Sequence, residues 1–356
     1  MICLTDGSER WYHPTNDGRT IGGTGHVEKK SDPARVGAMA RMLSPARALA
    51  PKALARRFAP LIAAPGSVPV SLPNLLRADA IRRPQPETLG RIGPLEVRLA
   101  RSQGEIRAAQ ALRYAVFYEE MAAIADPATL ASRRDRDAFD AVCDHLLVLD
   151  HDDVLQRRFR KPMPRIVGTY RLLRQEVAEA RQGFYSAGEF DLAPLVARHR
   201  DLRFLELGRS CVLKPYRNKR TVELLWHGIW SYVLSHGLDV MIGCASLEGT
   251  DPAALALPLS FLHHNAGAAG EWAVSALPER RVDMNLMPRE AIDTRAALHA
   301  LPPLIKGYLR LGARIGDGAV VDRQFGTTDV MIVLPVSAIS SRYVSYYGAD
   351  AGRHAA

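Results

Sequence analysis

The sequence predicts an α/β fold in which a mixed central sheet is flanked by helices. Three observations predict it. From Leu95 onward, short apolar runs of strand length alternate with segments whose apolar residues recur at helical spacing. The stretch 204–237 passes from a strand through a cationic turn into a long, almost uncharged helix. No repeat period is evident, so strands and helices alternate within one layered domain.

LEVRLA (95–100) alternates as a half-buried strand. EIRAAQALRYAVFYEEM (105–121) carries apolar residues at 106, 109, 112, 116 and 117, the spacing of one helical face. HLLVLD (145–150) and RIVGTYRLL (165–173) read as strands, and the charged stretch 151–164 between them suits a hairpin loop. Residues 176–198 read as one or two helical pieces. FLELGRSCVL (204–213) is the central strand, and RTVELLWHGIWSYVLSHG (220–237) is a helix stopped by Gly237. DVMIGCASL (239–247) is a strand, PAALALPLSFLHHNA (252–266) a helix, and MIVLPVSAI (331–339) a last strand.

Residues 1–91 are of a different kind. They hold 14 Lys/Arg against 7 Asp/Glu, while the other 265 residues hold 33 against 31, so most of the net charge of +9 sits in the N-terminal quarter. Pro45, Pro51 and Pro60 break its Ala/Arg-rich part into short helices at best. The expectation is a basic extension over 1–91, either mobile or lying on a membrane surface, ahead of a folded domain over 92–348. Such charge suits anionic lipid or an acidic protein. No nucleic-acid-binding motif accompanies it. No apolar leader follows Met1, and no uncharged run approaches the ~20 residues that span a bilayer. A cytoplasmic protein, at most peripheral on the inner membrane, is expected. Cys3, Cys143, Cys211 and Cys244 form no CxxC pair, which argues against a disulfide scaffold or zinc motif and fits reduced, buried thiols. His263 and His264 have no companions at ligand spacing, so no metal site is expected.

The first turn of a helix leaves backbone N–H groups unpaired at the positive end of its dipole. Lys214, Arg217, Asn218, Lys219 and Arg220 add side-chain donors where the 220–237 helix begins. Two readings stand, a solvated basic turn or a phosphate seat. Glu206 lies mid-strand among apolar residues, where desolvation raises a carboxyl's pKa toward a useful base. The alternative is an ion pair with Arg209. Residues three apart in a regular strand point to opposite faces, so a site lined by both needs an irregular strand, and Gly208 is the place for a bulge. A bulge would also free a backbone N–H as an oxyanion donor. Arg113 and Phe117, four apart, share a helical face. Arg113, Asp140, Asp144 and Arg171 are charges set beside apolar runs. They form structural ion pairs, or a network beside a substrate's carboxylate and ammonium, since Arg grips a carboxylate bidentately.

The order of these elements resembles the Gcn5-related N-acetyltransferase (GNAT) fold, in which the turn after the fourth strand takes the phosphates of a pantetheine carrier. Members that use acetyl-coenzyme A usually show Gln/Arg-x-x-Gly-x-Gly/Ala there. Arg217-Asn-Lys-Arg220-Thr-Val222 lacks both glycines, and a side chain at 220 crowds a backbone that must hug a pyrophosphate. A single phosphodiester, as on phosphopantetheine attached to a carrier protein, suits it better. The ordered set Arg113, Phe117, Asp140, Asp144, Arg171, Glu206 and Arg209 resembles the acyl-homoserine lactone synthases, which use acyl-acyl-carrier-protein thioesters. The region from 95 to 348 resembles more closely the L-ornithine Nα-acyltransferases that start bacterial ornithine lipid synthesis. LRYAVFYEEM, FLELGRSCVLKPYR, LPPLIKGYLRLGA (301–313) with its continuation to Val330, and the run ending RYVSYYG carry that resemblance. It says nothing of residues 1–91.

The resemblance implies transfer of a (3-hydroxy)fatty acyl group from acyl carrier protein to the α-amine of L-ornithine, giving a lyso-ornithine lipid. It implies no tightly bound cofactor; the carrier's acyl-phosphopantetheine is a co-substrate. A thioester is already activated, so direct attack suffices, with positioning supplying much of the acceleration. No GxSxG elbow argues otherwise. On this reading Glu206 is the base, acting with Gly208 and Arg209, while Arg113, Phe117, Asp140, Asp144 and Arg171 face the substrate. Asp322 in GAVVDRQF takes ornithine's distal ammonium, with Glu248 and Asp251 as competitors. Lys214, Arg217, Asn218, Lys219 and Arg220 take the carrier and its phosphate. Phe117, Leu255, Leu257, Leu259, Phe261 and the segment Leu304 to Leu311 offer an acyl slot. Synthesis of another N-acyl amino acid or of a lactone-type signal, and a non-catalytic lipid-binding role, remain as alternatives.

Overall fold

Four consecutive residues, Leu146, Leu147, Val148 and Leu149, have no exposed surface, as expected of a strand covered on both faces. The computed structural model describes residues 2–3, 87–156, 162–340 and 343. The expected N-terminal extension falls outside the described residues, apart from 2–3 and 87–91. One sheet runs through the described chain. Its strands are β1 (Ile2–Cys3), β2 (Gly90–Ile92), β3 (Leu95–Leu99), β4 (Asp144–Leu155), β5 (Met163–Arg174), β6 (Phe204–Val212), β7 (Val240–Glu248), β8 (Arg281–Val282), β9 (Arg314–Asp322) and β10 (Thr327–Pro335). Their order is β2-β3-β4-β5-β6-β7-β10-β9-β8, with β1 beside β6.

The helices are α1 (Gln103–Tyr114), α2 (Pro127–Ser132), α3 (Gln175–Glu179), α4 (Ala193–Arg198), α5 (Lys219–His236), α6 (Ala256–Ala266), α7 (Thr294–Ala300) and α8 (Pro303–Arg310). Ser102 caps α1 by accepting from the Glu105 N–H, and α1 continues as a π-helical turn over Ala115–Glu120. Together they place Ala109, Leu112, Val116 and Phe117 on Leu147, Leu149 and Ile166. α5 covers the opposite face. A Cβ at Gly228 of α5 would lie 2.7 Å from Val97 and 3.2 Å from Leu146, so this glycine lets the helix settle onto the sheet.

Two departures from the sequence reading have clear causes. Residues 151–155 extend β4 rather than forming loop, because β4 and β5 run on as a two-stranded ribbon past the covered part of the sheet, held by main-chain pairing at Val154 and Leu155. The last strand starts at Thr327, not at 331, and ends at Pro335, with a 3₁₀ turn following. Its hairpin partner β9 gave no apolar signal, because Gly316, Asp317 and Gly318 interrupt it. Gly318 has φ +80° next to a register shift between Val330 and Ile332.

The feature that positions the site lies between β6 and β7. They pair in parallel only from Phe204↔Val240 to Glu206↔Ile242. Past that point β5 still holds one edge of β6, at Thr169↔Cys211, and the other edge carries β1 at Ser210 and Cys211. An extended main chain thus lies along β6 where β7 has left it.

Candidate active site

The irregularity required of β6 is present. Arg171 pairs with Gly208 and Thr169 with Cys211, so two residues of β6, Arg209 and Ser210, face one residue of β5. The distortion falls on Arg209 rather than on Gly208: Arg209 has φ +48°, a left-handed conformation that costs a residue with a Cβ roughly 1–2 kcal/mol. The bulge inverts the alternation of the strand, and Glu206 and Arg209 line the same cavity, together with Arg171, Tyr185, Ser186 and Cys244.

Glu206 is 3% exposed and is not paired with Arg209. Its two carboxylate oxygens accept from the backbone N–H groups of Tyr185 and Ser186, both at 2.7 Å. Burial pushes its pKa up; hydrogen bonds from Ser186 and Tyr185 and the charge of Arg171 oppose that rise without cancelling it. Arg209 instead meets Asp135 at 3.3 Å and Asp137 at 3.5 Å, donates to the Tyr185 hydroxyl at 3.2 Å, and lies over the Tyr185 and Phe325 rings. These contacts hold the left-handed turn in place.

A charge network lies under this wall. Arg113, with no exposed surface, donates from Nε to Asp135 at 2.7 Å and from Nη2 to both oxygens of Asp140 at 2.8 Å. Arg171 donates to Asp137 at 2.5 Å and to Asp140 at 3.4 Å. Desolvation would raise the Asp135 and Asp140 carboxyls, but the arginines outweigh it and hold both below the usual carboxylate range. Asp135 and Asp137 escaped the sequence reading. Asp137 had a signal: it caps the 3₁₀ turn Ala138–Ala141, with Asp140 reaching back in a capping box. Tyr185, whose ring lies beneath both guanidiniums, had none.

Three expectations are corrected. Asp144 does not join the network. Alternation along β4 turns it to the α5 face, where it accepts from the Tyr232 hydroxyl at 2.6 Å and lies 3.8 Å from Arg174. Its neighbour His145 faces the network, with its Nε2 3.0 Å from the Asp140 carbonyl. Phe117 is core rather than cavity wall, packed edge-to-face on Phe325 at 5.8 Å. At the basic corner, Arg217 and Asn218 are structural. Arg217 donates to the Val212 carbonyl at 2.9 Å and to both carboxylate oxygens of Glu120, and Asn218 caps α5 by accepting from the Thr221 N–H at 3.2 Å. Lys214, Lys219 and Arg220 stay exposed around the first turn of α5, with Lys219 3.5 Å from Glu223.

Asp322 caps its own turn, accepting from Gln324 and Phe325 N–H groups at 2.9 and 3.1 Å. Its carboxylate also gathers with those of Glu189 and Asp329 within 4.8 Å. Burial and the neighbouring Asp329 charge push the Glu189 carboxyl up. Cys244 links this group to the cavity, donating to Ser186 Oγ at 3.2 Å and to Glu189 at 3.3 Å. Glu248 is exposed at the end of β7, and Asp251 accepts from the Ala253 N–H.

A family model described as an acetyltransferase (GNAT) domain matches residues 112–227. An L-ornithine N(alpha)-acyltransferase of Rhizobium meliloti is 58% identical over 80% of this chain and 94% of its own length. Its counterpart in Agrobacterium fabrum is 61% identical over 74% of this chain and 88% of its own. That of Rhodobacter capsulatus is 44% identical, covering 71% and 94%. Among the described residues no helix is long and apolar enough to cross a membrane. With a GNAT fold, and with relatives this similar over nearly their whole length, the chain is an N-acyltransferase and belongs to the L-ornithine Nα-acyltransferase family.

Proposed function

We propose that the protein transfers a (3-hydroxy)fatty acyl group from an acyl-carrier-protein thioester to the α-amine of L-ornithine, giving lyso-ornithine lipid. One observation carries the reading: a buried carboxyl of raised pKa, Glu206, opens on a cavity that also presents the guanidiniums of Arg171 and Arg209. The arginines suit the acceptor's carboxylate, and Glu206 takes the ammonium proton so that the amine can attack. The backbone of the 209–210 bulge, where the ladder to β5 is interrupted, is the candidate oxyanion donor. Behind it, the Tyr308 hydroxyl lies 3.5 Å from that of Tyr170, and burial pushes its pKa far up. It therefore stays protonated and suits a hydrogen bond to the thiolate, which leaves as the anion. Glu189, Asp322 and Asp329 suit ornithine's distal ammonium.

The edge of β6 that accepts β1 suits the amides of a pantetheine arm, leading its phosphate toward Lys214, Lys219 and Arg220. The basic stretch 1–91 is proposed to meet an anionic membrane surface, where an amphiphilic product is delivered. The K219E/R220E double variant is expected to raise the KM for carrier-bound donor roughly tenfold, with kcat near wild type. An unchanged KM, read by steady-state kinetics at low salt, would separate this corner from the carrier.

The direct test offers purified protein a carrier-bound 3-hydroxyacyl donor and a panel of amines, with products read by mass spectrometry. N-acyl-ornithine as the main product is expected. A preference for another amino acid, or a lactone-type product, selects the alternative synthases. No product with any amine would count against the carrier-bound 3-hydroxyacyl donor.

A further inference from the structure

Two large apolar side chains stand in solvent on one short segment. Ile124 is 67% exposed and Leu130 55%, whereas the other exposed large apolar residues reach 41% at most. Single exposed aliphatics are ordinary on a protein surface. The mounting of this pair sets it apart. Ala122, Pro127, Ala128 and Ala131 are exposed beside it. Asp126, the one acid between 122 and 134, is committed to the cap of α2, where it accepts from the Ala128 and Thr129 N–H groups at 2.8 and 3.0 Å. Among the described residues only three other than glycine have a positive φ. One is Arg209, and the other two, Ala122 at +57° and Arg133 at +49°, bracket this segment. Such backbone persists where the surroundings hold it.

Both ends of the segment are tied to the wall of the cavity at Glu206. At one end the Ile124 N–H donates to the Gln324 carbonyl at 2.7 Å, next to Phe325, whose ring lies 4.9 Å from the Arg209 guanidinium. At the other end Asp135, two residues past Arg133, meets Arg209 at 3.3 Å. The segment is therefore a rim beside the cavity. Cations flank it. Arg133 is bound to Glu119, but Arg136 and Arg323 are exposed, Arg134 is half-buried, and among the described residues none of these three has a hydrogen bond or ion pair.

We propose that Ile124 and Leu130 enter the surface of an anionic lipid bilayer, with Arg134, Arg136 and Arg323 meeting its phosphate groups, so that the folded domain itself holds the rim of its cavity at the membrane. Charge and shape favour lipid over a protein partner. Outward-facing aliphatic side chains flanked by cations suit the boundary between acyl chains and headgroups. The carrier protein is assigned above to a different set of cations, Lys214, Lys219 and Arg220. An amphiphilic product released at this rim meets the bilayer without crossing water. The proposal rests on the acyl-transfer reading for that purpose alone; the contact itself does not require it.

The test uses the full chain with vesicles of phosphatidylcholine, alone or mixed with phosphatidylglycerol. Backbone amide exchange over 122–132 is expected to slow several-fold when the wild type binds the mixed vesicles, a reading that depends on no variant folding. I124S/L130S is expected to lower partition onto the mixed vesicles roughly tenfold or more, as withdrawal of two aliphatic side chains requires. R134Q/R136Q/R323Q is expected to lose roughly tenfold on the mixed vesicles and under about twofold on phosphatidylcholine alone. Binding with unchanged exchange over 122–132, or with partition unaltered in I124S/L130S, leaves the contact to residues 1–91 and overturns the proposal. So does a raised KM of I124S/L130S for carrier-bound donor with partition unaltered, which assigns the surface to the carrier. Failure of the wild type to bind either vesicle overturns it as well. Transfer to ornithine without vesicle contact removes this surface alone, whereas vesicle contact without transfer from any donor counts against the proposed reaction alone.

Discussion

Replacing Glu206 with Gln is expected to lower kcat by about 10²–10⁴-fold, the usual worth of a positioned general base. Glutamine keeps the shape and one acceptor oxygen, so one of the two N–H groups from Tyr185 and Ser186 still has a partner. The other loses its partner, a local cost of about 1–3 kcal/mol. The pH dependence separates this from a structural role. In the wild type, kcat/KM should rise through the folded-state pKa of Glu206, which burial places above the ordinary 4.5. In the Gln variant that limb should vanish. Stability runs the other way. A carboxyl whose folded pKa is raised contributes stability that is complete below 4.5 and is lost as pH rises through the folded value. Denaturant melts across that window should slope downward in the wild type and less so in the variant. A variant keeping more than a tenth of the wild-type kcat would remove Glu206 from the proton transfer.

The part of this site legible in the sequence was the part carried by one strand. Glu206 and Arg209 stood out as charges inside an apolar run, and their spacing required a bulge; the structure moves the distortion by one residue, from Gly208 to Arg209. What single-strand reasoning could not decide was the face of a flanking residue. Asp144 and His145 are adjacent, and a one-residue difference in phase sends one to α5 and the other to the network. Glu189 and Asp329 come from a loop and a distant hairpin, and only tertiary folding brings them to Asp322. Arg217 and Asn218 looked like free donors because composition reveals charge but not its partner, and Glu120 lies 97 positions away.

Arg113→Met is expected to destabilise the fold by about 3–5 kcal/mol, the range for stripping one partner from a buried ion pair. The loss is not that of a favourable contact so much as the stranding of Asp135 and Asp140, which are 4% and 7% exposed and have no water to replace the guanidinium. Arg171 and Arg209 still face them, at 3.4 Å from Asp140 and 3.3 Å from Asp135, which keeps the effect within this range. Sign and pH dependence can both be read by denaturant unfolding. The wild-type aspartates have folded pKa values held below 3.8, so their contribution is present above 3.8 and is lost as pH falls through the folded values. Without Arg113 that depression shrinks, and the gap between wild type and variant should narrow as the carboxyls protonate. A gap that stays constant to acid pH would assign the destabilisation to lost packing on α1 instead. Because Asp135 also holds Arg209 in its left-handed turn, kcat should fall along with stability, and it should do so under conditions where the variant remains fully folded.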